Sequence, residues 1–277
     1  MRGISGASGQ PRAGGEKTMS LLEQKIRHAQ QCGRPALIPF VTAGFPTPGA
    51  FWDIVRQLDD AGADVIEIGV PFSDPVADGP VVEAASRRAL EQGVTLGWIM
   101  EGLRKHAGSV RAGIVLMGYF NPFLQYGLER FAREAAAAKV SGCIVPDLPL
   151  EESAFFRCAL HAEGVDLIAL VGQNTSEERM RAYAAVSRGY VYVASVLGTT
   201  GARDALPPQT GEALRRARRA FDLPLALGFG LRSPAQVEAL PRDVRPDAFV
   251  FGSALLQHID AGGEAASFLE AWIRKSG

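Results

Sequence analysis

Short apolar runs rich in β-branched residues alternate with longer amphipathic segments along most of this chain. Each run is nearly continuous in apolar residues, which is typical of strands that are covered on both faces of a parallel sheet. Eight such strands are predicted, at residues 36–44, 64–70, 113–119, 142–147, 166–171, 189–195, 223–230 and 247–253.

The segments between these runs have the composition and start signals of helices. An amphipathic stretch at 21–31 precedes the first strand, and Thr47-Pro48 and Ser233-Pro234 each place a capping residue before a first-turn proline. Thr175 with Glu178 three residues later is a capping-box pattern. The alternation predicts a (β/α)8 TIM barrel, a single α/β domain with an extra N-terminal helix. A doubly wound open sheet is the alternative.

Composition and charge narrow the class of protein. With 277 residues, 47% of them hydrophobic, the chain can fill one large domain with a substantial core. A net charge of −1 and scattered basic residues give no indication of a nucleic-acid partner. No apolar run reaches the ~18 residues that a membrane span needs, and three widely spaced cysteines fit a reducing compartment. We expect a cytoplasmic protein with a disordered tail at 1–18 and the barrel at 19–277.

The active site of such a barrel lies at the carboxyl ends of its strands. All four histidines and all five lysines lie away from the predicted strand ends. The chain therefore lacks the strand-end residues that three classes of enzyme use. These are a Schiff-base aldolase, a sugar-phosphate isomerase with a catalytic lysine or histidine, and a histidine-ligated metal enzyme. Carboxylates, a tyrosine and backbone amides remain as candidates.

Glu67 is the sharpest candidate, because it lies within an apolar strand. Strand alternation places Ile66, Ile68 and Val70 on one face and Val65, Glu67 and Gly69 on the other. The first face suits the helix-covered exterior, so Glu67 is predicted to point into the barrel. An unpaired buried carboxyl has a raised pKa and can exchange protons near neutral pH. The alternative is a structural glutamate paired with an arginine.

Three other acidic residues and one tyrosine follow or occupy the strands. Asp78 is either a catalytic group or a turn residue in its proline-rich loop, and Asp74 is predicted to be structural. Asp147 ends the fourth strand and is placed either at the rim or as the cap of the next helix. Tyr192 lies in mid-strand six, where it is either core or an inward-facing functional phenol.

Glycines gather at the ends of the last three strands. "GTTGAR" occupies 198–203, "GFG" 228–230 and "GS" 252–253. Barrels often bind phosphate with the loops after strands seven and eight and a helix N-terminus. These loops contain no basic residues apart from Arg203 and Arg232, so we expect backbone amides to provide most of the phosphate binding.

From residue 21 to the C-terminus the chain resembles the tryptophan synthase alpha chain family. The segments that carry the resemblance, in order, are "PALIPFVTAGFP", "IEIGVPFSDPVADGP", "LMGYFNPFLQYGLERF", "VPDLPLEES", "GFG" and "FGSAL". The resemblance implies a lyase of tryptophan biosynthesis that cleaves indole-3-glycerol phosphate into indole and glyceraldehyde 3-phosphate. It also implies an α2β2 heterotetramer in which indole passes to a beta chain. Pyridoxal phosphate belongs to that beta chain, and the alpha chain uses no cofactor or metal of its own.

The resemblance also implies roles for individual residues. Glu67 matches the general acid/base, Asp78 the carboxylate that meets the indole N–H, and Tyr192 a tyrosine beside the glutamate. The implied substrate-binding residues are Phe40, Thr200, Gly201, Phe229, Gly230, Gly252 and Ser253.

Two segments depart from the family pattern. "SVLGTTGAR" differs at Val196, Leu197 and Thr199, and "VGQNTSEER" has Gln173-Asn174 where a proline-containing turn is common. These differences concern the loop after strand six and communication with a beta chain. A non-catalytic activator of a beta chain and a stand-alone indole-3-glycerol phosphate lyase are therefore kept as alternatives.

Overall fold

A computed structural model describes residues 19–106, 108–195, 206–228 and 230–276. Within these ranges helices and parallel strands alternate as predicted. The strands are β1 (Ala36–Thr42), β2 (Val65–Gly69), β3 (Gly113–Met117), β4 (Val140–Ile144), β5 (Asp166–Leu167), β6 (Ala169–Val171), β7 (Val191–Ala194), β8 (Leu225–Gly228) and β9 (Ala248–Phe251).

The helices cover the outside of the sheet. They are α1 (Leu21–Gln31), α2 (Pro48–Asp60), α3 (Pro80–Glu91), α4 (Leu96–His106), α5 (Phe120–Tyr126), α6 (Leu128–Ala137), α7 (Ala154–Ala162), α8 (Glu177–Ala184), α9 (Gln209–Ala220), α10 (Ala235–Glu238), α11 (Ser253–Asp260) and α12 (Ala265–Ser276), with a 3₁₀ turn at Arg242–Val244. None of the helices in the described ranges has the length and apolar character of a membrane span.

The sheet closes on itself through the fifth predicted strand, which the structure divides into β5 and β6. The strand order is β5-β4-β3-β2-β1-β9-β8-β7-β6, with every pairing parallel. β5 pairs with β4 and β6 pairs with β7, so the two ends of the sheet meet on either side of Ile168. The predicted (β/α)8 barrel is confirmed, and the doubly wound alternative is wrong because an open sheet would leave these ends apart.

The predicted N-terminal helix is α1, and it packs against the amino-terminal end of the barrel. Leu22 is completely buried there. A Cβ atom added at Gly113 or Gly142 would lie 2.8 or 2.7 Å from a Leu22 methyl carbon. The first residue of β3 and the middle residue of β4 thus leave room for this side chain. The predicted tail at 1–18 lies outside the described residues.

Three aspartates tie strand starts together at this same end. Asp64 accepts hydrogen bonds from the Leu37 amide at 2.8 Å and from the Arg34 guanidinium at 2.6 and 2.9 Å. Asp59 accepts from the Ala112 amide at 2.7 Å, and Asp247 from the Leu225 amide at 2.7 Å. Buried carboxylates with amide and guanidinium donors stabilise a fold, because their lone pairs are satisfied.

The helix starts agree only in part with the predicted caps. Thr47 caps α2 and accepts from the Ala50 amide, as predicted. Helix α8 is capped by Ser176, which accepts from the Arg179 amide, so the capping box assigned to Thr175 is wrong. Thr175 instead accepts from the Gly172 amide in the preceding turn. Ser233 is not the cap of α10, since Pro234 holds that position.

Candidate active site

Glu67 lies in the middle of β2 and faces into the barrel, as strand alternation predicts. Its backbone is in register with Phe40 of β1 and Val115 of β3. The side chain lines a cavity of about 240 Å³ whose walls include Met117, Gly230 and Gly252, near the carboxyl ends of β3, β8 and β9. The candidate acid is therefore at the end of the barrel where such enzymes place their chemistry.

The carboxyl of Glu67 is fully buried and only half satisfied by hydrogen bonds. The Tyr190 hydroxyl donates to Glu67 Oε1 at 2.8 Å, while Oε2 has no hydrogen-bond partner within the described part of the chain. Burial raises the pKa of Glu67 to about 8, against the smaller lowering effect of the Tyr190 hydrogen bond. No ion pair joins Glu67 to an arginine of the described ranges, so the structural alternative is not supported.

Tyr190 was missed by the sequence analysis, although Tyr192 was selected. Tyr190 immediately precedes β7 and Tyr192 lies within it, so the two side chains share one face of the strand. Tyr192 lines the same cavity as Glu67. A Cβ atom at Gly228 of β8 would overlap the Tyr192 hydroxyl, so the glycine allows this phenol to occupy the cavity wall. The period-two spacing from Tyr192 is the signal that could have identified Tyr190.

Asp78 lies in the loop between β2 and α3 and is held over the cavity by Tyr119. The Ala77 amide donates to the Tyr119 hydroxyl at 2.9 Å, and that hydroxyl also hydrogen-bonds the Asp78 carboxyl. The Tyr119 ring stacks on Phe72 with centroids 5.2 Å apart. Burial raises the pKa of Asp78 to about 6, the Tyr119 hydrogen bond lowers it and the nearby Glu83 charge raises it. Tyr119 was not among the residues predicted from the sequence.

Two further loop aspartates lie apart from this site. Asp74 is exposed and accepts from the Ser73 hydroxyl at 2.5 Å, in keeping with the structural role predicted for it. Asp147 accepts from the Phe120 amide at 2.8 Å. It therefore satisfies the first turn of α5, which follows β3, rather than the next helix along the chain.

Phe40 forms one wall of the cavity, packed between two glycines. A Cβ atom at Gly69 would lie 2.5 Å from the Phe40 ring, and one at Gly252 would lie 2.8 Å from it. Phe40 is 8% exposed and lines the cavity. Such a wall suits a flat apolar group.

The glycine-rich end of the cavity contains Gly230, Gly252 and Ser253, as expected. Gly252 is the N-cap of α11 and Ser253 is its first residue, so free amides of the first turn are at the cavity. Three other residues predicted to bind substrate, Thr200, Gly201 and Phe229, lie outside the described residues.

Comparison with known proteins agrees with this fold. The family model described as "Tryptophan synthase alpha chain" matches residues 26–273. The chain belongs to this family. The tryptophan synthase alpha chain of Nitratidesulfovibrio vulgaris strain DP4 is 65% identical over 256 residues, covering 92% of this chain and 99% of the relative. That of Picosynechococcus sp. is 41% identical, covering 89% and 93%.

Solved tryptophan synthase structures share the same barrel. A chain of Mycobacterium tuberculosis tryptophan synthase superimposes with a TM-score of 0.85 at 32% identity, covering 93% of this chain and 98% of its own. A chain of the Pyrococcus furiosus tryptophan synthase α2β2 complex gives 0.79 at 35% identity, covering 87% and 98%. The family expected from the sequence is confirmed. Tryptophan synthase alpha chains are carbon–carbon lyases that cleave indole-3-glycerol phosphate in tryptophan biosynthesis.

Proposed function

We propose that this alpha chain cleaves indole-3-glycerol phosphate with Glu67 and Asp78 as its two proton-transfer groups. The observation that carries the assignment is the buried Glu67 carboxyl, whose Oε2 has no hydrogen-bond partner in the described chain and which shares one cavity with Asp78. Two carboxyls in different environments suit a reaction that needs an acid and a base together.

Glu67 acts first as an acid and then as a base. With a pKa of about 8 it is mostly protonated at neutral pH, so it donates its proton to C3 of the indole ring. Asp78, with a pKa of about 6, is mostly ionised and accepts the proton from N1. The ring becomes an indolenine, whose C=N bond can accept an electron pair.

The carbon–carbon bond then breaks. The Glu67 carboxylate removes the proton of the hydroxyl on the carbon attached to C3, and that carbon becomes the aldehyde of glyceraldehyde 3-phosphate. The electrons of the broken bond flow through the ring to N1, which recovers its proton from Asp78. Both carboxyls return to their starting states, so the protons and electrons balance. Phe40 packs on the ring, and the amides near Gly230, Gly252 and Ser253 bind the phosphate.

Indole release by the isolated chain tests this proposal. Glu67→Gln is expected to lower turnover by about 10² to 10⁴-fold, because glutamine neither gives nor takes the proton. Tyr126→Phe is a matched control, since Tyr126 binds Glu134 on the surface helices α5 and α6. Full activity in Glu67→Gln would remove the assignment. No turnover in the unmodified chain, together with activation of a beta chain, would favour the non-catalytic activator.

We propose a tryptophan synthase beta chain as the partner, and assign pyridoxal phosphate to that chain alone. Three of the five large hydrophobic side chains that are exposed in the described ranges follow the carboxyl ends of the neighbouring strands β2, β3 and β4. They are Val76, Leu124 and Phe155, exposed by 81%, 50% and 58%. Apolar side chains gathered beside a cavity are typical of a surface that another protein covers.

Native mass measured after mixing with a beta chain tests the α2β2 assembly. Val76→Ser with Leu124→Ser is expected to weaken association by about tenfold or more, while indole release by the isolated chain is kept. Leu21→Ser, at an exposed leucine on the opposite end of the barrel, is the control. An unchanged native mass for the unmodified chain would favour a stand-alone lyase. The cytoplasmic location stays a prediction.

A further inference from the structure

The charged side chains that line the cavity are mostly acidic, although the proposed substrate carries a negatively charged phosphate. Among the described residues that line it, the charged ones are Glu67, Asp78 and Arg232. A phosphate monoester brings close to two negative charges at neutral pH. Backbone amides offer only partial positive charges. Arg232 is therefore the one full positive charge on the described wall.

The backbone at Arg232 is fixed by a buried glutamine of α10. Gln236 Oε1 accepts from the Arg232 amide at 2.7 Å and from the Ser233 amide at 3.2 Å. The Gln236 side-chain amide donates to the Gly230 carbonyl at 3.3 Å. Gly230 has a φ of +87°, a conformation that favours glycine. One side chain thus ties together the turn from Gly230, a proposed phosphate contact, to Arg232.

The guanidinium of Arg232 has no acidic partner among the residues that the structure describes. Arginines elsewhere on the surface form ion pairs, such as Arg88 with Asp260 at 2.9 Å and Arg179 with Glu151 at 2.7 Å. No carboxylate within the described ranges pairs with Arg232, although the residue is exposed and lines the cavity. An exposed cation that lines a cavity and pairs with no carboxylate of the described residues is suited to receive an anion.

We propose that Arg232 is a phosphate-binding residue, whose guanidinium adds an ionic contact to the amides of Gly230, Gly252 and Ser253. This assignment rests on the phosphate end of the proposed site and extends it, since backbone amides alone were expected to bind the anion. Gln236 is the positioning residue that holds Arg232 beside the cavity. Substrate binding in this chain should accordingly weaken as ionic strength rises, because salt screens an exposed guanidinium.

Two measurements on Arg232→Gln test the assignment. Calorimetric titration with inorganic phosphate is expected to show affinity about tenfold to a hundredfold weaker than in the unmodified chain. With indole-3-glycerol phosphate the loss should appear as a similar rise in KM rather than in kcat, since the phosphate lies away from the bond that breaks. Raising the salt concentration should narrow both differences.

Two further variants make the result specific to the charge at this position. Arg232→Lys should recover much of the phosphate affinity, and Arg133→Gln should bind phosphate like the unmodified chain. Arg133 is a matched control because it is exposed on α6 and pairs with no carboxylate of the described chain. Equal phosphate affinity in Arg232→Gln and the unmodified chain would overturn the assignment, as would an unmodified chain that binds no phosphate. If phosphate binds through Arg232 but indole-3-glycerol phosphate is not cleaved, the proposed reaction fails while the assignment stands.

Discussion

The Tyr190 hydroxyl donates a 2.8 Å hydrogen bond to Glu67 Oε1 across the inside of the barrel, joining residues 123 positions apart in sequence. Both groups are completely buried. The bond fixes one carboxyl oxygen and leaves the other for a ligand. Because it favours the ionised carboxyl, it also limits how far burial raises the pKa of Glu67.

Tyr190→Phe is expected to raise the pKa of Glu67 above its value of about 8. A net hydrogen bond of this kind is worth about 1 kcal/mol, so the alkaline limb of kcat/KM should move up by roughly half to one pH unit. The pH dependence of indole release checks this. Tyr183→Phe, on the outer helix α8, should leave the limb in place. An alkaline limb that stays near pH 8 in Tyr190→Phe would show that another group controls it.

Glu67→Gln is expected to stabilise the fold as pH rises. Below about pH 4.5 the Glu67 carboxyl is protonated in both the folded and the unfolded chain and has no effect. Between about 4.5 and about 8 the unfolded chain releases the proton while the folded chain retains it, so the unmodified protein loses stability. The variant escapes this loss of up to about 1.4 kcal/mol per pH unit. Urea unfolding at pH 5 and pH 8.5 measures it, and a constant difference between the two proteins would contradict a raised pKa.

Asp78→Asn is expected to remove the acid limb of the activity profile along with most of the activity. Asp78 must be ionised to accept the indole proton, and burial raises its pKa to about 6, so activity should fall as pH drops below 6. A phosphate monoester also titrates near pH 6. An acid limb that persists in Asp78→Asn therefore belongs to the substrate phosphate, and its disappearance assigns the limb to Asp78.

Gly228→Ala is expected to damage the site through Tyr192. The added methyl group would overlap the Tyr192 hydroxyl, so the phenol must move or the strands must separate. Overpacking of this kind costs about 1–3 kcal/mol, and turnover should fall with it. Thermal unfolding and indole release measure the two effects. Gly211→Ala is the control. Gly211 lies in α9, where alanine should stabilise by about 0.5–1 kcal/mol, and the nearest atom to its added methyl, a Val244 methyl carbon, is 3.8 Å away. Normal turnover in Gly228→Ala would show that Tyr192 does not need this position.

Asp64→Asn is expected to destabilise the protein without changing the chemistry. It weakens the bonds to Arg34 and to the Leu37 amide, at a cost of about 1.5–3 kcal/mol. Urea unfolding at neutral pH measures this cost, while kcat/KM at 25 °C should be retained. Asp260→Asn is the control, because its pair with Arg88 is exposed and contributes about 0–1 kcal/mol. A loss of activity with unchanged stability would place Asp64 in the site instead.

The strands and the direction of Glu67 could be predicted from the sequence because both depend on local pattern. Side chains along a strand alternate between its two faces. Because the buried Ile66 and Ile68 occupy one face, Glu67 must point to the other. The same reasoning applied to Tyr192 also reaches Tyr190, two residues earlier. Gly252 likewise lies at a predicted strand end, whereas Phe40 was expected only from the family resemblance.

The features that could not be predicted from the sequence depend on contacts between distant residues, or on which of two chemically similar neighbours takes a given role. The apolar run around Ile168 has no signal for the division into β5 and β6, which follows from barrel closure. Thr175 and Ser176 have equivalent capping chemistry, so their order could not be decided from the sequence. Asp147 accepts a hydrogen bond at the start of a helix that precedes it in the chain, and Gln236 holds the backbone of Arg232 in a turn. Neither contact can be recognised from residue spacing or composition.

Asp59, Asp64 and Asp247 fasten strand starts at the end of the barrel away from the cavity, and none of them lines it. These hydrogen bonds thus fix the register between strands at the amino-terminal end of the barrel. Loops at the carboxyl ends can be lengthened, shortened or given new side chains while these aspartate hydrogen bonds stay the same. Sequence changes confined to those loops should accordingly leave the alignment of the strands intact.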